Sequence, residues 1–311
     1  MADKKRRVFL FNAYGKYGGS YMLYQIGRIC FDVFNTPVFI VQTYSGKRGD
    51  HRFLYDYEFP TISIKKMLEI VTPDDIFFCN PVHSNHAFGQ RLPCQKVMYI
   101  QGANTFTVLD MHFDHYISNS TFVQQHVRKY YQVDSEIINP FINNDLFSKG
   151  ISWNKRSNHI LLLTYKKETI FEFKQLMRRY MEKHALGSLS FKKIQNLSQK
   201  RLSTIMGQHK YYLSLTPVEG FGLPALEAMS SGCVVLGFNG YGGRDYFTAN
   251  NSYVAEYRDY DPIIKCLYEI NRNPGVGFSR SQKAMDTAKQ FTFARYKREW
   301  THFLESRIFH G

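Results

Sequence analysis

Residues 214–246 read SLTPVEGFGLPALEAMSSGCVVLGFNGYGGRDY: a strand-like run, a glycine-rich turn, a short helical stretch, a second apolar run and a second glycine-rich turn. Gly220 and Gly222 permit backbone conformations and close approaches that a side chain forbids, and Pro224 suits the first turn of a helix. Main-chain N–H groups are thereby presented at a helix N-terminus, whose partial positive charge suits a diphosphate or a cluster of sugar hydroxyls. Glu227 falls inside that helix, where a carboxylate can accept two hydrogen bonds from ribose hydroxyls. Glu219 precedes the turn; a carboxylate there can orient hydroxyls and stabilise positive charge developing at an anomeric carbon. Taken singly, each residue also fits an ordinary capped turn and a solvated helix.

Outward from this stretch, short runs rich in Val, Ile and Phe alternate with longer helical patterns, as parallel βαβ units covered on both faces require. In the first half the runs are Val8–Phe11, Pro37–Val41, Asp75–Cys79, Lys96–Ile100, His115–Ser118 and Ser135–Ile138. In the second they are Ile160–Thr164, Tyr211–Leu215, Cys233–Gly237 and Tyr253–Ala255. The pattern predicts an α/β fold of two Rossmann-like halves. Asn143–Ser157 (NNDLFSKGISWNKRS) is polar and separates two strand-like runs, so a hinge is expected there, with a domain boundary near residue 150. The expected division is residues 1–150, residues 151–290 and a terminal helix over 291–311, where FTFARYKREWTHFLESRI is amphipathic at helical spacing.

A chain of 311 residues, 44% of them hydrophobic, can bury two cores and is not disordered throughout. No window approaches the roughly 18 consecutive apolar residues of a membrane-spanning helix, so a soluble or peripheral protein is expected. MADKKRRVFLFN places basic residues ahead of an apolar run, but Asn12 interrupts it; a cytoplasmic first strand is expected rather than a signal peptide. Cys30, Cys79, Cys94, Cys233 and Cys266 have no paired spacing, which favours free thiols in a reducing compartment. The net charge of +14 is unevenly shared: residues 1–150 contain 16 Lys+Arg against 13 Asp+Glu, and residues 151–311 contain 24 against 13. Residues 155–210 hold 13 basic and 3 acidic side chains, a surplus that suits anionic lipid, nucleic acid or phosphates, or else a solvated helix face.

Glu219 and Glu227, eight apart and flanking G-F-G-L-P, are followed by A-M-S-S-G and an apolar strand. Together they resemble the signature of the retaining glycosyltransferases of family 4, in which Glu, seven residues, Glu marks the donor site. The resemblance implies the GT-B fold, two Rossmann-like domains facing across a cleft. It implies donor contacts at Gly220, Phe221, Gly222, Leu223 and Glu227, with Glu219 at the sugar as a catalytic residue. Tyr17-Gly18-Gly19-Ser20 resembles the family's glycine-rich loop near the donor phosphates, which adds Gly18 and Gly19. KVMYIQGANTF, FDHYISNSTFVQQHV and INPFINNDLF resemble the last strands of the first domain and the crossing into the second. Where many relatives carry a His beside the reacting sugar, this chain has Gln101, a candidate catalytic residue; it and Asn104 can hydrogen-bond hydroxyls or cap a turn. Relatives place an Arg and a Lys after the first strand of the second domain, where this chain has Tyr165-Lys166-Lys167. Lys166 or Lys167 can neutralise a phosphate as a point charge without the fork of Arg, or sit solvated at a helix start. Tyr241-Gly242-Gly243-Arg244-Asp245 resembles the loop beside the donor, with Arg244 a candidate phosphate ligand. The last helix resembles one that crosses back onto the first domain.

The resemblance further implies transfer from a nucleotide-sugar held mainly by the second domain to an acceptor on the first, with domain closure, front-face attack and no required metal or other cofactor. A growing glycan or lipid-linked oligosaccharide is the expected acceptor, with the basic surface held peripherally at the inner face of an anionic membrane. A hydroxymethylated DNA base is the alternative, for which the same charge would track phosphates. A non-catalytic nucleotide-binding protein is a third reading, suggested by Gln101 and the altered Arg/Lys pair and opposed by the intact Glu219 and Glu227. No metal site is expected: His83 with His86, and His112 with His115, lack a third ligand motif. Asp259-Tyr260-Asp261 precedes Pro262 and a helical pattern, which suits helix capping rather than the cation-holding Asp-x-Asp triplet.

Overall fold

The structure, a computed structural model, describes residues 6–15, 17–43, 53–84, 87–148, 150–163, 167–184, 190–273 and 275–309. The chain forms two compact units, Met1–Pro140 together with Ala294–Gly311, and Phe141–Phe293.

In the first unit, strands β1 (Val8–Phe11), β2 (Val38–Gln42), β3 (Thr61–Ser63), β4 (Ile76–Cys79), β5 (Gln95–Ile100), β6 (His115–Ser118) and β7 (Glu136–Ile137) form one parallel sheet. Their order is β3-β2-β1-β4-β5-β6-β7. Every residue of VFLF in β1 and IFFC in β4 is buried, as covering helices on both faces demand. Helices α1 (Gly18–Phe34), α2 (Ile64–Ile70) and α3 (Thr121–Tyr131) make the crossovers. The Ser120 hydroxyl caps α3 by accepting from Val123 N, and Asn35 ends α1 in the left-handed region at φ 48°. Phe9, Phe11, Phe77 and Met98 pack on one face with Val123 and Val127 of α3. On the other, helix α9 (Phe293–Leu304) buries Trp300 against Phe78 and Tyr99, with ring centroids 6.2 and 5.3 Å away. The Tyr296 hydroxyl of α9 donates to the Met22 carbonyl at 3.0 Å. Asp75, ahead of β4, accepts from Arg7 Nε and Nη2 at 3.0 and 2.7 Å and fixes the start of β1 beside it. Burial alone raises the Asp75 carboxyl, but the bonds from Arg7 and Thr72 outweigh it and hold the pKa below its ordinary value.

The second unit has strands β8 (Ser157–Leu163), β9 (Phe191–Ile194), β10 (His209–Ser214), β11 (Val234–Phe238) and β12 (Tyr253–Ala255), all parallel in the order β12-β11-β10-β8-β9. Its helices are α4 (Lys167–His184), α5 (Gln199–Gly207), α6 (Leu223–Ser230), α7 (Asp261–Arg272) and α8 (Phe278–Ala288). The period of two along each strand separates two cores. Leu161, Tyr212 and Val235 join Leu202 of α5, Leu226 of α6 and Ala284 of α8. Ile160, Tyr211, Leu213, Val234 and Leu236 join Phe173 and Met177 of α4 and Ile263 and Leu267 of α7.

The boundary lies at Pro140–Phe141, not near residue 150, and the second unit runs to Phe293, not residue 290. Apolar packing is the reason. Ile142 and Phe147 sit in the second unit's core, Ile142 N donates to Phe291 O at 3.1 Å, and the Phe141 and Phe293 rings lie 5.0 Å apart. Within that unit the Asn143 carbonyl accepts from Leu146 and Phe147, which closes a turn at the start of the polar segment.

Candidate active site

In the second unit β9 lies beyond β8 and β11 beyond β10, so the connections diverge on either side of the β8/β10 pair. Open parallel sheets bind ligands outside the carboxyl ends of such a pair. Lys166, after β8, lies outside the described residues; Lys167 is the first residue of α4, and its side chain lies outside them too. After β10 the chain runs through Leu215–Phe221 into α6. Gly222 precedes that helix at φ 89°, and a Cβ there would meet the Tyr246 hydroxyl at 2.9 Å. That hydroxyl donates to the Gly222 carbonyl at 2.5 Å, and Pro224 fills the first turn, as the sequence predicts. Leu223, half-buried, is the first residue of the helix.

The two glycine-rich turns are layered on one another. Glu219 N donates to Gly240 O at 2.8 Å, and Glu219 bridges Tyr241 in parallel register. A Cβ on Gly242 would collide with the Gly220 carbonyl and stand 2.5 Å from that of Glu219, so only glycine allows this stacking. Gly242 N reaches back to Gly240 O at 2.8 Å, closing a three-residue turn centred on Tyr241 at φ 63°, ψ −52°. This positive-φ γ-turn is strained for any residue with a β-carbon. Arg244 is half-exposed, lies 4.8 Å from the Tyr241 ring centroid and pairs with Glu256 at 3.5 Å.

Glu227 is only 3% exposed, and its Oε1 accepts a long hydrogen bond, 3.5 Å, from Gln199 Nε2 of α5. The Phe221 ring packs in the core 5.1 Å from Tyr246 and 5.5 Å from Phe291. Its expected donor contact is therefore limited to its main chain. The far end of α6 is held by a buried cation: Arg156 donates from Nη1 to the carbonyls of Ser231 and Gly232 at 2.9 and 2.8 Å and from Nε to Ile151 O at 2.8 Å. Gln199, Tyr241 and Arg156 were not singled out in the sequence. Gln199 follows a helix cap, Arg156 sits in a polar segment, and nothing local announces the fold-back of Tyr241.

In the first unit the corresponding divergence lies between β1 and β4. Asn12 follows β1, Asn80 follows β4, Gln101 follows β5 and Asn119 follows β6. The amides form a chain: Asn80 Nδ2 donates to Gln101 Oε1 at 2.5 Å, Gln101 Nε2 to Gly19 O at 3.1 Å, and Asn119 Nδ2 to Gln101 O at 3.1 Å. A Cβ on Gly19 would collide with Gln101 Oε1, so Gln101 and the first turn of α1, with Gly18 and Gly19, are packed together. Asn119 is buried, and its Oδ1 has no hydrogen-bond partner among the described residues. Asn104 is exposed in the loop after β5. Asn80 and Asn119 each follow an apolar run, and nothing else in the sequence marks them.

Among the described residues no group of three or more His, Cys, Asp or Glu side chains could hold a metal ion. His83 stacks edge-on with Phe11, 5.9 Å away, and burial lowers its pKa; His86 lies outside the described residues. His115 packs on Phe303, with its pKa likewise lowered by burial. Asp259 Oδ1 accepts from Asp261 N at 3.3 Å at the start of α7. No helix among the described residues is long and apolar enough to cross a membrane.

Residues 174–289 match the protein-family model described as Glycosyl transferases group 1. A stretch of 72 residues is 39% identical to the alpha-1,6-glucosyltransferase of Actinobacillus pleuropneumoniae serotype 7 (strain AP76), covering 23% of this chain and 21% of that protein. A stretch of 98 residues is 28% identical to the poly(glycerol-phosphate) alpha-glucosyltransferase of Bacillus subtilis (strain 168), covering 31% of this chain and 15% of that one. The chain thus matches about a fifth or less of the length of these curated relatives. The fold is similar to that of a glycosyltransferase from Rickettsia africae ESF-5, with a TM-score of 0.72, 12% identity, and 99% and 100% of the two chains covered. It is also similar to that of HepE from Anabaena, solved with UDP and glucose, with a TM-score of 0.70, 12% identity, and 97% and 100% covered. These likenesses establish an α/β fold with two parallel sheets, as in GT-B structures.

Proposed function

We propose that the chain, whose second unit carries a Glycosyl transferases group 1 domain over residues 174–289, is a retaining glycosyltransferase that moves a sugar from a nucleotide-sugar to a hydroxyl of a glycan or lipid-linked oligosaccharide. The observation that carries this reading is the stacking of the two glycine-rich turns at the start of α6, with Glu219 between them and Glu227 buried one turn into the helix. The donor diphosphate meets the main-chain N–H groups of the Gly220–Leu223 turn and the helix dipole. Arg244 turns from Glu256 to a phosphate. Glu227 accepts the ribose hydroxyls, replacing its long bond from Gln199. Glu219 faces the sugar and stabilises the charge that develops as the bond from the anomeric carbon to the diphosphate breaks. The acceptor oxygen attacks from the same face, and its proton leaves on the departing phosphate oxygen. With charge met by dipoles and cations, no metal is required.

Both curated relatives are named glucosyltransferases and HepE was solved with UDP and glucose, so UDP-glucose is the first donor to test. Gln101 retains one amide N–H and one lone pair beyond its bonds to Gly19 and Asn80; with the buried Asn119 Oδ1 these are the groups the first unit offers a sugar or acceptor hydroxyl. The test is a screen of nucleotide-sugars for release of free nucleoside diphosphate. Turnover with UDP-glucose is the expected result; absence of release with every donor, together with no nucleotide binding, would overturn the reading.

A further inference from the structure

Of the 13 basic side chains in residues 155–210, Arg156 and Lys210 point inward, the first onto carbonyls and the second over the Trp153 ring at 5.6 Å. The rest of the surplus is concentrated elsewhere. Helical spacing puts Phe171, Lys174, Arg178 and Glu182 along one side of α4, opposite Phe173 and Met177 in the core. Phe171 is 64% exposed, and Lys174 and Arg178 are exposed beside it. Next to this helix runs β9, the last strand of its sheet. Phe191 packs on Phe173 at 5.9 Å, which puts Lys193, two residues on, on the α4 side. Contact with the Lys193 side chain and repulsion between the two ammonium groups hold Lys174 below its ordinary pKa. Lys192 is exposed on the other side of the strand. The acids nearby are engaged: Glu182 pairs with Arg178 at 3.0 Å, and Glu172 accepts from the Tyr260 hydroxyl at 3.0 Å. Lys174, Lys192 and Lys193 have no carboxylate partner among the described residues.

We infer that the outward side of α4 and the edge strand β9 form a docking surface for an anionic lipid bilayer, with Phe171 lodged among the headgroups. Two features that are unfavourable in water, clustered like charges and a bare aromatic ring, are both satisfied there: the cations meet lipid phosphates and the ring enters the interfacial zone. A single-stranded nucleic acid would use the cations, but among the described residues of α4 and β9 Phe171 is the one exposed large aromatic, too few to continue a base stack. The inference goes beyond the transfer reaction and does not depend on the donor.

The experiment is cosedimentation of the full chain with vesicles of phosphatidylcholine alone or mixed with phosphatidylglycerol, at several salt concentrations. Salt-sensitive binding to the mixed vesicles alone is expected. The quadruple variant K174Q/R178Q/K192Q/K193Q should bind about fivefold more weakly for each basic residue removed. Phe171→Ser should weaken binding by a factor that salt does not alter, and K283Q/K289Q, the same kind of change on α8 and just beyond it, should have no more than about a twofold effect. Unchanged melting temperatures keep the comparison valid, and the K192Q/K193Q pair serves if the quadruple variant is unstable. No binding by the unaltered chain, equal binding by the lysine variants, or salt-dependent DNA binding without vesicle binding would each overturn the inference. Failure of donor turnover would leave these outcomes intact.

Discussion

Tyr241 occupies a turn that its own β-carbon resists, and the strain is local enough to be measured. Alanine at this position removes the ring and keeps the strain; glycine removes both. Glycine ordinarily lowers stability relative to alanine because it gains more freedom in the unfolded chain. Here the order should invert: Tyr241→Gly is expected to be more stable than Tyr241→Ala by about 1 kcal/mol in denaturant melts, because relief of a strained φ outweighs the entropy. If the turn is held for function, the glycine variant should also turn over more slowly than the alanine one, since the Gly240 carbonyl that fixes Glu219 N is no longer constrained. On the proposed function the two carboxylates separate by role. Glu227→Ala would then delete two charge-assisted bonds to ribose and should weaken nucleoside diphosphate binding at least about tenfold in titration calorimetry. Glu219→Ala should leave that affinity nearly unchanged and lower kcat about a hundredfold. Near-normal kinetics in both variants would remove the site from α6.

At the scale of elements, α6 is pinned at both ends, by Tyr246 on Gly222 and by Arg156 on Ser231 and Gly232. A buried guanidinium at a helix C-terminus complements the dipole and satisfies carbonyls that have no helical partner. Arg156→Met should cost roughly 3 kcal/mol, seen as a lower denaturant midpoint, and should raise KM for the donor with the shift of the helix. Arg7 and Asp75 do the same for β1 and β4, with a pH signature. Because the Asp75 pKa is lowered in the folded chain, its contribution is present above the ordinary value of 3.8 and is lost as pH falls through the folded value. Asp75→Asn should therefore flatten the acid limb of melting temperature against pH. Most of these elements were legible in the sequence, because strands buried on both faces read as continuous apolar runs: the runs Val8–Phe11, Asp75–Cys79 and Cys233–Gly237 each coincide with a strand or overlap one. The two strands that were missed, TIS in β3 and FKKI in β9, hold one buried residue between them, Ile194, and short polar or charged side chains break any apolar run. In the site, residues whose roles rest on glycine or proline backbone chemistry could be read from the sequence. The Asn80–Gln101–Gly19 chain and Gln199 could not, because each joins residues far apart along the chain whose proximity only the fold creates.

For the molecule as a whole, the proposal that main-chain dipoles and cations carry the phosphate charge has a direct check. EDTA should leave transfer unchanged and added manganese or magnesium should not raise it; loss of activity restored by either ion would reopen Asp259 and the His pairs. The first unit is also assembled from two segments separated by the whole of the second. Its aromatic core lacks Trp300 until α9 is present, and Arg6 donates to Ile308 O at 2.8 Å while Phe34 stacks on Phe309 at 4.2 Å. On a ribosome, residues 141–293 emerge as one uninterrupted stretch and can close around their own sheet, whereas residues 1–140, made earlier, wait with Phe78 and Tyr99 uncovered. The order of synthesis and the order of completion are thus reversed, against the usual N-terminal-first sequence. A released fragment ending at Phe293 should yield a protease-resistant second unit beside a first unit that chaperones still hold.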